Sequence, residues 1–256
     1  MEKTKIILCG ACGRMGGNVL SLLADDHNAV AVCGVDLFPK EIGIPVYTSF
    51  ADIQETADVI IDFSSPAGLA ERLEYAKTHG LGIVLAATGF SAEDLKTIEA
   101  YAQSTAIFKT ANLSLGVNLV QALIKTAASI LGEHYDVEII ERHHNLKKDS
   151  PSGTALMLAD SINDAFEGKK EYVYGREGMV GAREKKEIGI HAVRGGTIVG
   201  EHEVMFAGED EVITITHSAT SKKVFAVGAI RAAKFLAKHK NEAGIYAMND
   251  LIASEN

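Results

Sequence analysis

The hydrophobic and polar positions of this chain follow two rhythms in its first half. Short, nearly unbroken apolar runs stand at residues 5–9 (KIILC), 29–35 (AVAVCGV), 59–63, 82–86 and 106–110. Between them, apolar residues recur at helical spacing up to residue 24 and across 67–79 and 92–103. Apolar runs of that length suit strands buried on both faces, and their alternation with helices predicts a parallel sheet covered by helices. Ligands of such sheets bind beyond the carboxyl ends of the strands. Those ends are GACGRMG, Asp36, DFSSP, AATGF and TANLS, each rich in small or polar residues.

Beyond residue 112 the rhythm changes. A long periodic stretch at 115–131 predicts a helix, and YDVEII at 135–140 a strand. A second helix then follows, and three strand-like runs near 188–194, 198–207 and 211–218. This predicts a separate α+β domain over residues 114–220. A last helix at 224–239 and an apolar run near Ile245 are expected to return to the first domain, which then comprises residues 1–113 plus 221–256.

The turn after the first run has glycine at 10, 13 and 16 and leads into a helical segment, NVLSLLA. Gly10 permits a tight turn, Gly13 lets backbone approach a pyrophosphate, and Gly16 lets the helix pack on the strand. The spacing is GxxGxxG, with Cys12 where the commoner pattern has glycine. The second run ends in Asp36, which is placed to accept hydrogen bonds from ribose hydroxyls. A glycine-rich turn alone would be ordinary; strand, glycines, helix, strand and terminal acid in order predict a dinucleotide site. Backbone contact with the nicotinamide half is expected at Ala86, Ala87 and Thr88 and at Thr110, Ala111, Asn112 and Leu113, whereas Pro66 and Gly89 are read as turn residues.

The densest chemistry lies at 141–155, ERHHNLKKDSPSGTA. Side chains alternate along a strand, so His143 and His144 can share a pocket only where the strand has ended, and a loop is expected from about His143. Histidine titrates near neutrality, and Lys147 can release a proton or hold a carboxylate. Pro151 and Ser152 suit a helix entrance, and the first-turn N–H groups near Gly153 and Thr154 form an anion site, where a substrate carboxylate is expected. Each residue alone reads as surface or turn; together they predict an active site for a small acidic substrate. His191, His202 and His217 fall in strand-like runs and are read as structural or interface residues.

Net charge is −9 and the sequence pI about 5.5, which argues against nucleic acid and anionic membrane as partners. No membrane span and no signal peptide are expected, hence a cytoplasmic protein. Cys9, Cys12 and Cys33 lack disulfide or metal spacing, so no metal site is expected; they are read as packing residues, with Cys12 open to reactivity near the cofactor. No internal repeat or low-complexity tract stands out.

GACGRMG at 10–16, DFSSP at 62–66, ATGF at 87–90, ANLSLGVN at 111–118, the E-x-HH-x-x-K-x-D-x-PSGTA pattern at 141–155 and RGGTIVGEHEV at 194–204 together resemble the 4-hydroxy-tetrahydrodipicolinate reductase (dihydrodipicolinate reductase) family over nearly the whole chain. The resemblance implies an α/β protein: a Rossmann-type parallel-sheet domain hinged to a second α+β domain for substrate binding and oligomerisation, commonly in a homotetramer. It implies that NADH or NADPH binds at Gly10, Ala11, Cys12, Gly13, Arg14, Met15, Asp36, Ala86, Ala87, Thr88, Thr110, Ala111, Asn112 and Leu113. His143 would be the catalytic proton donor or acceptor and Lys147 the other proton donor, with His144, Gly153 and Thr154 binding the dicarboxylate substrate.

Two departures bear on these roles. Leu37 stands where many members have arginine, which weakens any contact to a 2′-phosphate and favours NADH, with Lys40 near enough to leave NADPH usable. Ala87 removes a side-chain hydroxyl from the loop that many members write GTTG. The rival readings are another Rossmann enzyme acting on an imine, such as an amino-acid dehydrogenase, and a redox-sensing regulator that binds NADH without turnover. The first has no need of the PSGTA helix start beside paired histidines, and the second has no need of the histidine and lysine loop.

Overall fold

A computed structural model describes residues 2–255. The chain forms two compact units: one contains the residues up to Ser114 and those from Lys223 onward, the other Leu115–Lys222.

The first unit begins with β1 (Thr4–Cys9), α1 (Arg14–Leu23), β2 (Ala29–Val35), β3 (Val46–Tyr47) and β4 (Val59–Asp62). It continues with α2 (Leu69–Thr78), β5 (Gly82–Leu85), α3 (Ala92–Tyr101) and β6 (Ala106–Lys109). The second unit contains α4 (Leu115–Leu131), β7 (Asp136–His143), α5 (Gly153–Ala165), β8 (Glu171–Tyr174), β9 (Glu187–Arg194), β10 (Gly200–Ala207) and β11 (Val212–Ala219). The chain then completes the first unit with α6 (Lys223–Lys238), β12 (Gly244–Tyr246) and α7 (Met248–Ser254).

The first sheet is parallel throughout, in the order β12-β6-β5-β4-β1-β2-β3. Its central strands are apolar on both faces because helices cover both. Ile7, Cys9, Ile60, Ile83, Leu85 and Ile107 share one core with Leu73 and Ile98 of α2 and α3. The alternate residues Leu8, Ile61, Val84 and Phe108 point to the other face, where α1 and α6 pack and Phe235 of α6 meets the Phe108 ring edge-on. The order reverses at β1, whose neighbours are β2 and β4, so the ligand crevice of this fold lies at their carboxyl ends.

The second sheet is mixed, in the order β11-β10-β7-β9-β8, with β7 antiparallel to β10 and parallel to β9. Alternation along β7 buries Val137, Ile139, Glu141 and His143 on one face. Cross-strand rows on that face read Phe206–Val137–Ile188, then Val204–Ile139–Ile190, then His202–Glu141–Ala192. His143 pairs with Arg194 in the last row. The sheet is therefore apolar for two rows, under Ile124 of α4 and Leu158 and Ile162 of α5, and polar for the next two.

Three expectations shift. β7 runs through His143 rather than ending near 140, because its core-facing alternation continues through Glu141 and His143. The stretch Leu115–His134 is long and apolar enough to cross a membrane by length and composition, with mean hydropathy 1.4. Of its apolar residues, Val120, Ile124 and Ala128 belong to the core of the second unit, while Leu119, Leu123 and Ile130 are exposed. β3, β8 and α7 are additional elements.

Candidate active site

In the first unit, Gly10 through Gly13 form the turn between β1 and α1, and Arg14 and Met15 open the helix. Gly10 has φ +72°, and a Cβ there would lie 3.1 Å from the Phe63 carbonyl group, so the loop lies close against the end of β4. A Cβ on Gly16 would lie 2.3 Å from the Ala11 oxygen, so only glycine lets α1 approach the loop this closely. Gly13 caps α1 without a side-chain hydrogen bond, and the first turn carries no acid. A helix start of this kind presents main-chain N–H groups and positive potential. These residues fit the pyrophosphate of a nicotinamide dinucleotide.

Asp36 lies just past β2 and reaches back to the loop: Oδ2 accepts the Cys12 N–H at 2.9 Å and Oδ1 the Phe38 N–H at 3.0 Å. A carboxylate has about four acceptor positions, so two remain for ribose hydroxyls. Ala86, Ala87 and Thr88 follow β5, and Thr110 through Leu113 follow β6, at the same sheet edge. The Thr110 hydroxyl donates to the Asn112 oxygen at 3.1 Å, and Asn112 Oδ1 accepts the Ser114 N–H at 2.8 Å, which fixes that turn. Phe38 and Leu37 are exposed, and Cys12 is half-buried.

The second unit brings His143, Lys147 and the start of α5 together around Glu141. The Glu141 carboxylate is fully buried and takes four hydrogen bonds: from His143 Nδ1 at 2.6 Å, from the Ser152 N–H at 2.9 Å, and from Arg194 Nη1 and Nη2 at 2.7 and 2.8 Å. Burial alone would raise its pKa, but the donations from Arg194, His143 and Ser152 outweigh it and hold the carboxyl below its ordinary value. Burial lowers the pKa of His143; Glu141 opposes this, Lys147 and Arg194 add to it, and the net shift is downward. His143 therefore rests as a neutral ring near pH 7.

Ser152 is the N-cap of α5. Its Oγ accepts the Ala155 N–H at 3.2 Å and shares a 3.0 Å hydrogen bond with His202 Nε2. His202 stands edge-on to His143, with ring centroids 5.2 Å apart, and burial first of all pushes its pKa down to about 4. Gly153 opens the helix, and a Cβ there would meet no atom within 4 Å, which leaves space for a ligand at the helix start. Thr154 is the second helical residue. His144 lies just past β7, half-buried, and its buried Nδ1 has no hydrogen-bond partner among the described residues. Lys147 follows the turn and pairs with Asp149 at 2.9 Å.

Sequence reasoning identified the histidines, the lysine and the helix start, with Ser152 at its entrance as the N-cap position bears out, but gave no role to Glu141 and Arg194, and treated His202 as structural or interfacial. A signal existed for Glu141: continuing the alternation of Val137 and Ile139 points it into the core, where an acid needs partners. Among the described residues no cluster of histidine, cysteine or acid suits a metal ion.

The parallel sheet with its glycine loop and the polar end of the second sheet define a dinucleotide-dependent oxidoreductase of two units. Models of the dihydrodipicolinate reductase family match almost end to end, the N-terminus model at residues 4–113 and the C-terminus model at 116–252. The chain belongs to that family. It is 48% identical over 248 residues to the 4-hydroxy-tetrahydrodipicolinate reductase of Caldanaerobacter subterraneus subsp. tengcongensis, covering 97% of this chain and 98% of that one. It is 43% identical to the corresponding protein of Clostridium novyi, covering 99% and 100%. In fold it is similar to dipicolinate-bound dihydrodipicolinate reductase from Paenisporosarcina sp. TG-14, with a TM-score of 0.74 at 23% identity over 96% of this chain and 99% of that one.

Proposed function

We propose that the chain reduces 4-hydroxy-tetrahydrodipicolinate to tetrahydrodipicolinate in lysine (diaminopimelate) biosynthesis, using NADH in preference to NADPH. The observation that carries this reading is the Glu141-held His143 beside the open start of α5, in a member of this family. When bound, the nicotinamide cofactor supplies a hydride, which adds to ring C4 as the hydroxyl leaves as water. Gly10 through Met15 and Asp36 hold the dinucleotide, with Ala86–Thr88 and Thr110–Leu113 along the nicotinamide half. His143 and Lys147 carry the protons that water loss and product formation require. His144, Gly153 and Thr154 bind the substrate carboxylates, the last two through the helix start. The unit containing β1 is thus the dinucleotide-binding domain and Leu115–Lys222 the substrate-binding and tetramerisation domain of a cytoplasmic homotetramer.

NADH preference follows from charge. A 2′-phosphate brings about −1.5 to −2 charge toward Asp36, and the neighbouring Leu37 has no charge to offset it. Steady-state kcat/KM for both cofactors with the lysine-pathway imine, at one ionic strength, tests both parts. Turnover with a modest NADH advantage is expected. Absence of imine-dependent oxidation refutes the activity, and an NADPH advantage refutes the reading of Asp36 and Leu37. An unchanged cofactor ratio in Lys40→Ala removes Lys40 from the contact.

A further inference from the structure

We propose that Glu141, clamped by Arg194, is a positioning residue for the reaction: it fixes the tautomer of His143 and ties that ring to the start of α5. The inference rests on the reading of His143 as a proton carrier.

A carboxylate only accepts hydrogen bonds, so the His143 nitrogen 2.6 Å from Glu141 Oε2 must bear hydrogen. In the neutral ring this is Nδ1, and Nε2 is left with the lone pair. Among the described residues His143 Nε2 has no hydrogen-bond partner, and it lies against Gly200, where a Cβ would come within 3.1 Å. The ring therefore presents one defined nitrogen for proton exchange.

The second Glu141 oxygen accepts the Ser152 N–H, so the same side chain also sets where α5 begins. Arg194 extends the clamp: while holding both Glu141 oxygens, its Nη2 donates to the main-chain oxygen of Asp149 at 2.8 Å. Asp149 in turn holds Lys147. One buried carboxylate thereby registers the histidine, the anion-binding helix start and the segment that carries the lysine.

The charged and titratable groups facing His143 are Glu141 on its own strand, Lys147 in the following loop, Arg194 on β9 and His202 on β10. Glu141 is the one anion among them. Its charge counters burial and the two cations, so its removal lowers the proton affinity of His143 further.

Glu141→Gln preserves volume and an oxygen for Ser152 or Arg194, but its amide NH₂ toward His143 makes Nδ1 the acceptor and moves the ring hydrogen to Nε2. The wrong tautomer in a well-formed site costs about 10²-fold or more in kcat, with KM little changed. The acid limb of the pH profile of kcat moves to lower pH. Nitrogen-15 NMR of histidine-labelled protein without substrate reads the tautomer directly: Nδ1–H in the wild type and in Glu141→Asp, which keeps the charge, and Nε2–H in Glu141→Gln. An Nε2–H wild-type ring overturns the proposal even if no variant folds. So does a Glu141→Gln enzyme with wild-type tautomer and pH profile. His143→Gln separates the two layers of argument: full kcat in that variant refutes the role of His143, and with it any catalytic purpose of the clamp. Its inactivity beside a fully active Glu141→Gln refutes the clamp alone.

Discussion

Two glutamates three residues apart on β7 meet opposite fates. Glu138 and Glu141 point to opposite faces of the second sheet, and each collects arginine and histidine. Glu138 takes Arg176, Arg183 and His191, the last at 2.7 Å. These donors outweigh burial and pull its pKa down to about 2. Arg183 also donates to the main-chain oxygens of Val137 and Glu187, so this cluster stitches strands and the preceding loop together. Glu141 has one arginine, one histidine and the N–H of a helix cap, and its histidine keeps a second nitrogen uncommitted. The same residue types make a brace on one face and a candidate site on the other. What separates them is the helix start that only the inner glutamate holds.

The largest expected contrast is catalytic. His143→Gln and Lys147→Ala should each lower kcat by about 10²-fold or more, with NADH affinity near wild type, while His191→Gln on the outer face leaves kcat near wild type. Steady-state kinetics and cofactor titration check this. Near-normal kcat in both inner variants, or an equal loss in the outer one, would erase the distinction.

The outer face should instead show up in stability. Glu138→Ala removes a shared partner from Arg176 and Arg183, which keep Glu187 and Asp136, and should cost about 2 kcal/mol, read by urea denaturation, with the folded fraction retaining wild-type kcat. A stable but inactive variant would reverse the assignment.

Acid should separate the faces in order. His202 has a pKa of about 4 in the folded protein against 6.5 ordinarily, so below pH 6.5 the unfolded chain takes a proton that the folded one refuses. The stability present above pH 6.5 is lost as pH falls to about 4, by about 3 kcal/mol. Glu138 loses its contribution later, between 4.5 and about 2. Denaturation curves from pH 7.5 to 4.5 should show the first loss reduced in His202→Gln; identical slopes in the two proteins would contradict it.

The smallest expected effect compares two glycines. A Cβ on Gly200 would sit 3.1 Å from His143 Nε2, and one on Gly189 would sit 1.9 Å from Glu138 Oε2. Gly200→Ala should lower kcat about fivefold by shifting the ring a fraction of an ångström, whereas Gly189→Ala should lower the melting temperature without a matching fall in kcat. The reverse pattern would mean that the two faces had been misread.

Much of the fold was legible because central strands of a covered parallel sheet are unbroken apolar runs. The bounds expected for β2 and α4 coincide with Ala29–Val35 and Leu115–Leu131. β3, two residues long, and the half-exposed edge strand β8 lack that signature. In the site, the local motif gave His143, Lys147, Gly153 and Thr154, but Arg194 binds Glu141 from 53 residues away. Only the parallel pairing of β7 with β9 brings those two together, and no local pattern encodes it.

The return of α6 to the first unit has a consequence for synthesis. A chain growing from its amino end makes β1, β4, β5 and β6 before any residue of the second unit, yet one face of those strands lies under α6. Phe108 and Val84 wait there for residues 223–238, which come only after every strand of the second sheet has been translated. On the ribosome the second sheet is complete while the first still exposes a greasy flank, so the unit begun first is the one finished last.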